Sequence, residues 1–178
     1  IGLDGLKAHG LCKALAARTG GIVLPPIYAG TDTIKPFKGF KYTIDHKVET
    51  VKALCTEFLE QLADEDFKVI VILTGHYGAR HVEALKETTN AFAEGNPAVK
   101  VLTIADWEPV EGLFEPNHAA KGETSYQMFY HPETVDLSKL PEDHQTTLDE
   151  DGVAGLDTRE ATAEHGKDQE EALVNNLV

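Results

Sequence analysis

The hydrophobic pattern of the chain centres on one short apolar run between residues 69 and 73. Its consecutive aliphatic residues, Val69 to Leu73, are too few for a helix and predict a strand buried on both faces. The strand ends at Thr74 and Gly75, and His76 follows before any helical pattern begins. Ligands in open α/β sheets bind at the carboxyl ends of the strands, so His76 is placed where chemistry is common. A loop histidine that binds a backbone carbonyl is an equally good interpretation of this spacing alone.

Amphipathic helical patterns flank this strand on both sides. One helix is predicted after Asp45, its predicted cap, because apolar residues recur there at intervals of three and four. These residues are Val48, Val51, Cys55, Phe58 and Leu62. A second helix is predicted from Arg80 to Glu94, and Val99 to Ala105 predicts another strand. This alternation favours an α/β fold class, a three-layer α/β/α sandwich around a mostly parallel sheet.

The remaining parts of the chain predict shorter or more irregular elements. Further helices are predicted at residues 5–19, 123–130 and 160–178. Two short strands are predicted at residues 22–24 and 41–44, with a loop rich in proline and glycine between them. Residues 133–160 predict an acidic surface excursion. Together these elements indicate a single domain over residues 1–178.

Composition and charge exclude several classes of partner. The chain has 178 residues, which support one domain with a core, and a net charge of -14. That charge argues against nucleic acid and anionic membrane as partners, because their phosphates select lysine and arginine. No apolar run approaches the length of a membrane span, and a cytoplasmic location is the default expectation. The two cysteines, Cys12 and Cys55, are predicted to be small buried hydrophobic residues, and a disulfide between them is the weaker alternative.

Oxygen and nitrogen ligands gather at the predicted strand ends and helix starts. They are Asp4, Asp32, His76, Asp106, His118 and Glu123. Histidine with carboxylate is a ligand set for zinc or manganese, and such an ion lowers the pKa of bound water enough to give hydroxide near neutral pH. Structural roles stay open: Asp4 as a helix cap, Glu123 as a favourable charge in a first helical turn, His118 as an exposed histidine. The Gly-His-Tyr-Gly loop lacks P-loop and dinucleotide spacing, so a phosphate cradle is the weaker alternative.

Several motifs occur in the same order over nearly the whole chain. They are Gly-Leu-Asp4, Gly-Gly-Ile-Val-Leu-Pro-Pro, Thr-Gly-His76-Tyr-Gly, His118-Ala-x-x-x-Glu123-Thr-Ser and Gly-Val-x-Gly-x-Asp-x-Arg-x-Ala-Thr. With this combination the sequence resembles the creatininase (creatinine amidohydrolase) family, and the two histidine motifs are the most specific part of the match. The resemblance implies an α/β/α fold, two divalent metal ions per chain (zinc, manganese or both) and a homohexamer built as a trimer of dimers.

The resemblance also implies roles for individual residues. Asp4 matches the aspartate that bridges the two metal ions, and His76 matches a histidine ligand. His118 resembles the histidine that shuttles protons at the scissile amide. Glu123 resembles an acidic residue that acts as a metal ligand or as a catalytic acid.

Substrate contacts and departures from the family pattern concern other positions. Tyr77 follows the pattern of creatininase proper and is a candidate substrate contact. Trp107 is a second candidate because it follows a predicted strand, although a half-buried loop aromatic is the simpler interpretation. Gly78 stands where creatininase proper has glutamate, which argues against creatinine as the substrate. The family's Glu-x-His-Gly motif and its N-terminal strand are expected upstream of Asp4, before this chain begins.

Two function hypotheses follow from the residues and the resemblance. The first is a metal-dependent amidohydrolase that uses a metal-activated water to cleave a non-peptide C–N bond, in a cyclic amide or a formamide. Its partner is then a small-molecule amide. The second is a family member without metal ions that serves as a structural or small-molecule-binding subunit. The upstream Glu-x-His pair distinguishes the two hypotheses.

Overall fold

A computed structural model describes residues 2–115 and 117–178 of the protein. The helices are α1 (Leu3–Thr19), α2 (Ile34–Lys38), α3 (Val48–Asp64), α4 (Ala79–Gly95), α5 (Lys121–Tyr130) and α6 (Ala163–Leu177). The strands are β1 (Val69–Thr74) and β2 (Lys100–Ala105). The chain forms two compact units, the first made of Ile1–Pro26 with Asp106–Val178 and the second of Ile27–Ala105.

A small parallel sheet and two helices form the second unit's framework. β1 and β2 pair in parallel, with Val69 opposite Lys100 and Thr74 opposite Ala105. α4 connects them, as a parallel pair requires a crossover. The predicted strands at 69–74 and 99–105 and the predicted helices around them are therefore confirmed as elements, and the chain is a mixed helix and strand protein.

The core of the second unit lies between the helices α3 and α4 and one face of the sheet. Its buried members are Val51, Cys55, Leu59, Ile70, Leu85 and Val99. The face of β1 opposite Ile70 is open over the first part of the strand, since Val69 is 63% and Val71 40% exposed, whereas Leu73 at its end is buried. The prediction that this strand is buried on both faces is thus wrong for its first half, because the core between the helices and the sheet contains Ile70 and not Val69 or Val71.

Two predicted strands and one predicted cap are also corrected. Residues 22–24 and 41–44 form no strand, and Ile22 is 72% and Ile44 74% exposed. A strand needs a neighbouring strand with which its backbone can form hydrogen bonds, and a short segment of suitable residues does not supply that neighbour. Lys47, rather than Asp45, occupies the N-cap position of helix α3. The Asp45 carboxylate instead accepts a hydrogen bond of 2.8 Å from the backbone N–H of Thr33.

The first unit packs three helices around a core that includes Leu11, Tyr126 and Leu173. Helix α1 begins two residues earlier than predicted, which places Asp4 in its first turn. Helix α6 is capped by Thr162, whose hydroxyl accepts from the N–H of His165 at 3.1 Å. Residues 133–160 contain short 3₁₀ turns and no longer element.

Two simpler expectations concern the cysteines and membranes. Cys12 and Cys55 are both free, Cys55 being buried and Cys12 half-buried, so the prediction that they form no disulfide is confirmed. Within residues 2–115 and 117–178, no helix has the length and apolar character needed to cross a bilayer.

Candidate functional site

A charged cluster is buried inside the first unit. Lys7 projects from α1, and its Nζ lies 2.8 Å from Oδ2 of Asp106 and 2.7 Å from Oε1 of Glu123. Asp106 directly follows β2, and Glu123 lies in the first turn of α5. The side chains of the three residues are 1%, 4% and 7% exposed in that order, so the ion pairs are shielded from water.

The two carboxylates of this cluster differ in their electrostatics. Burial raises the pKa of Asp106 to about 6, which outweighs the lowering effect of the Lys7 ammonium. Burial would also raise the pKa of Glu123, but Lys7, the N–H of Ala119 and the charge of His118 together hold it below the ordinary value. The hydrogen bonds explain the difference: Oε2 of Glu123 accepts from the Ala119 N–H at 2.7 Å, whereas Oδ1 of Asp106 has no hydrogen-bond partner among residues 2–115 and 117–178.

His118 is oriented by backbone contacts just before α5. Its N–H and C=O pair with Ala154 at 2.8 and 2.9 Å. Its Nδ1 lies 2.6 Å from the carbonyl oxygen of Gly152, which can only accept, so Nδ1 carries the proton of the neutral ring. Nε2 is therefore the nitrogen with the lone pair, as a proton-accepting histidine requires.

A small cavity lies beside the cluster. Its volume is about 20 Å³. Its lining includes Asp106, Trp107, Glu123, Tyr126 and Gln169. Trp107 is half-buried. The structure thus places this predicted substrate contact on the same cavity as Glu123.

His76 and His81 of the second unit both contact the backbone of a single residue, Thr31. Nε2 of His76 lies 2.9 Å from the carbonyl oxygen of Thr31, and the Thr31 N–H donates to Nδ1 of His81 at 3.4 Å. The two rings are 4.9 Å apart between centroids. Burial, followed by the charge of His76, lowers the pKa of His81 to about 4. Because Nε2 of His76 donates to a carbonyl, Nδ1 carries the lone pair of the neutral ring, the arrangement typical of a metal-ligating histidine.

The loop after His76 is tightly packed. A Cβ built at Gly78 would lie 2.9 Å from Nε2 of His76 and closer still to the carbonyl oxygen of Asp32. The carboxylate of Asp32 accepts from the N–H of Arg80 at 3.0 Å. Tyr77 is half-buried. Gly78 is thus the residue that allows the Asp32 backbone to approach this loop.

The predicted site residues fall into two groups. Asp4, His118 and Glu123 belong to the first unit, and His76 belongs to the second. The charge of Asp4 contributes to the raised pKa of Asp106, behind the larger effects of burial and of Lys7 and Glu123, so Asp4 acts on the buried cluster.

Sequence reasoning missed Lys7 and Thr31. One sign of Lys7 was present: it lies one helical turn before Leu11, a core position that is 0% exposed, and a lysine on that face is unusual. Thr31 acts through its backbone, for which the sequence carries no local sign.

An exposed group lies apart from these sites. His144, Glu150 and Asp151 bring their ligand atoms within 4.8 Å of one another among the described residues. Acidic groups of this kind are common on protein surfaces without a bound ion.

Comparison with known proteins identifies the family of the chain. The family model for creatininase, described as creatinine amidohydrolase, matches residues 1–178. The chain belongs to the creatininase family. It is accordingly a creatininase-family metal-dependent hydrolase, and the family resemblance given by its motifs is confirmed. No curated protein matches the chain by sequence.

Solved creatininase structures share the fold of the chain. A creatinine amidohydrolase (creatininase) is 18% identical with a TM-score of 0.82, over 99% of this chain and 80% of that one. A manganese form of creatininase is 20% identical with a TM-score of 0.81, over 99% of this chain and 81% of that one. A zinc–zinc form of a mutant creatininase is 20% identical with a TM-score of 0.78, over 99% and 81%. Similar creatininase structures thus include manganese and zinc forms.

Proposed function

We propose that this creatininase-family protein cleaves a non-peptide C–N bond, in a cyclic amide or a formamide, with a metal-activated water. The observation that supports this most directly is the pair formed by His118 and Glu123. The Gly152 carbonyl leaves the lone pair of His118 on Nε2, and the N–H of the next residue, Ala119, donates to Oε2 of Glu123 at 2.7 Å. Such a pair suits proton transfer at an amide.

His118, rather than Glu123, moves the proton in this proposal. Glu123 is held ionised by Lys7 and by the Ala119 N–H, so it has no proton to donate near neutral pH. In this proposal Nε2 of His118 takes a proton from the attacking water. The same imidazole then donates that proton to the nitrogen of the leaving group.

A divalent ion, zinc or manganese, would supply Lewis acidity and lower the pKa of bound water. The family resemblance assigns two such ions per chain, held by Asp4, His76 and Glu123. His76 fits this assignment because its contact with Thr31 leaves the lone pair on Nδ1. Glu123 fits less well, because Lys7 already pairs with its Oε1.

Several finer features are proposed on the same resemblance. Tyr77 and Trp107 are proposed to contact a small-molecule amide, and Trp107 already lines the cavity beside Glu123. A three-layer α/β/α sandwich, a homohexamer and a cytoplasmic location are further proposals. Light scattering coupled to size-exclusion chromatography tests the hexamer.

Hydrolysis of a panel of cyclic amides and formamides tests the proposed function. We expect turnover by the full-length protein that is lost on chelation and restored by zinc or manganese. His118→Gln should lower kcat by about 10²- to 10⁴-fold, the usual contribution of a positioned acid–base group. His144→Gln changes an exposed histidine and should leave kcat unchanged. Hydrolysis that survives chelation, or that persists at full rate in His118→Gln, contradicts the proposal.

A second candidate function is a metal-free subunit that binds a small molecule or serves assembly. The observation that favours it is the ion pair of Lys7 with Glu123, since it engages one of the predicted metal ligands with a lysine. Absence of both turnover and tightly bound metal in the full-length protein would favour this candidate.

A further inference from the structure

Lys7 is almost fully buried although it carries a charge. Its exposed fraction is 1%, and an ammonium group is rarely found at such depth unless it is paired. Asp106 and Glu123 provide that pairing at 2.8 and 2.7 Å. The ring centroid of Tyr126 lies 6.0 Å from Nζ, within range of a cation–π contact. Two carboxylates and an aromatic ring therefore hold a fixed positive charge inside the first unit.

Glu123 has donors on both of its carboxylate oxygens. Oε1 accepts from Lys7 at 2.7 Å, and Oε2 accepts from the Ala119 N–H at 2.7 Å. A zinc ion binds carboxylate oxygen at about 2.0–2.2 Å, so an ion sharing Oε1 with Lys7 would lie within about 5 Å of the ammonium. Two like charges repel strongly at that separation in a buried site. Metal binding at Glu123 thus requires Lys7 to leave.

The position of Lys7 on α1 makes this charge a permanent part of the first unit. Lys7 follows Asp4 by three residues, so both side chains lie on the same face of the helix. Asp4 is the residue that the resemblance assigns to the bridging position between two ions. Unlike a metal ion, the lysine side chain cannot dissociate or be removed by a chelator.

We infer that the Lys7 ammonium takes the place of one divalent metal ion at Glu123, so that this chain binds one ion fewer than the two implied by its family resemblance. Lys7 is then a positioning residue: it keeps Glu123 ionised and fixed beside His118 without itself activating water. The inference rests on the proposed function only in taking Glu123 as the position of a metal ligand.

Metal counting in matched variants tests this inference. The full-length native protein, Lys7→Met and Lys13→Met are dialysed against zinc or manganese, freed of loosely bound ions, and assayed by elemental analysis. We expect Lys7→Met to hold one ion per chain more than the native protein, because Glu123 becomes available. Lys13 lies on the same helix but is exposed, so Lys13→Met should match the native count.

Glu123→Gln provides a second variant that keeps the shape of the side chain and an oxygen to accept from Lys7. If Lys7 occupies this position, Glu123→Gln leaves the native metal count unchanged even where Lys7→Met does not fold. Equal counts in Lys7→Met and native protein, or loss of one ion in Glu123→Gln, would overturn the inference. If the proposed function is wrong, metal-loaded native protein shows no amide turnover. The difference in metal count between the variants can still be measured in that case.

Discussion

At the scale of single residues, Gly78 fixes the loop that carries His76. Its φ of -51° and ψ of 131° are open to any L-residue, so backbone conformation does not require glycine here. The requirement comes from crowding. A Cβ at Gly78 would lie less than 3.0 Å from the carbonyl oxygen of Asp32, and Cβ atoms in proteins almost never lie so close to such an atom. The glutamate that the resemblance gives creatininase proper at this position does not fit this loop without moving it.

We expect Gly78→Ala to destabilise the protein by about 1–3 kcal/mol, the usual cost of adding a methyl group to a packed site. The methyl group should also displace the ring of His76 from the Thr31 carbonyl. Urea unfolding measures the first effect and the imidazole ¹⁵N chemical shifts of His76 the second. Ala79→Ser changes an exposed neighbour and should do neither. A Gly78→Ala protein with native stability and native His76 shifts would contradict this view of the loop.

At the scale of elements, helices α5 and α6 pack closely against each other at Gly166. A Cβ at this position would overlap the carbonyl group of Ser125 and lie 3.0 Å from Cβ of Phe129. The hydroxyl of Ser125 accepts from the N–H of Thr162 at 3.1 Å, at the start of α6. This contact places α6 against the segment that carries Glu123.

The effect of Gly166→Ala on stability therefore distinguishes the cost of crowding between the helices from the gain in helix propensity. Alanine favours an isolated helix over glycine by about 1 kcal/mol, but the clash with Ser125 should reverse the sign. We expect a net loss of about 1–3 kcal/mol in the free energy of unfolding, measured in urea. Gly95→Ala, at the end of α4 with no atom of the described residues within 4 Å of the new Cβ, serves as the control and should be neutral or stabilising. A stabilised Gly166→Ala protein would show that the two helices separate easily.

Helix α3 gives a prediction for alkaline pH. Burial raises the pKa of the Cys55 thiol from 9.0 to about 11. The folded state thus favours the neutral thiol, and its stabilising contribution is complete below pH 9 and is lost as the pH rises from 9 to 11. The full effect amounts to about 2–3 kcal/mol.

Comparison with Cys55→Ala isolates this contribution. The variant loses core packing at every pH, but the stability advantage of the native protein should shrink between pH 9 and 11. Denaturant unfolding of both proteins across this range measures the difference. A difference that stays constant from pH 8 to 11 would mean that Cys55 ionises in the folded state as easily as in the unfolded one.

The elements that the sequence predicted correctly are those in which the spacing of apolar residues within the element shows which side chains enter the core. Val51, Cys55 and Leu85 recur at helical intervals and lie in the core between α3, α4 and β1. Residues 22–24 are equally apolar over a short length, and polar and apolar residues alternate over 41–44, but strand formation depends on a distant partner. Local sequence does not contain that information.

The candidate site was predictable to a similar extent. His76, His118 and Glu123 were found because motifs mark them. Their partners lie far away in sequence: Thr31 is 45 residues from His76, and Lys7 is 116 residues from Glu123. Only the folded chain shows that a lysine, rather than solvent alone, faces Glu123.

At the scale of the whole molecule, family membership concerns both units, because the creatininase model spans residues 1–178. Of the candidate residues, Asp4, His118 and Glu123 belong to the first unit and His76 belongs to the second. Metal dependence is thus the property that a test of the complete protein must address.

Elemental analysis of the purified full-length protein, dialysed against zinc and manganese, addresses it most directly. We expect a tightly bound divalent ion in each chain, held by Asp4 and lost in Asp4→Ala, while the exposed control Asp168→Ala retains it. Native protein that holds no zinc or manganese after this treatment would contradict a metal-dependent amidohydrolase and leave a fold used for binding or assembly.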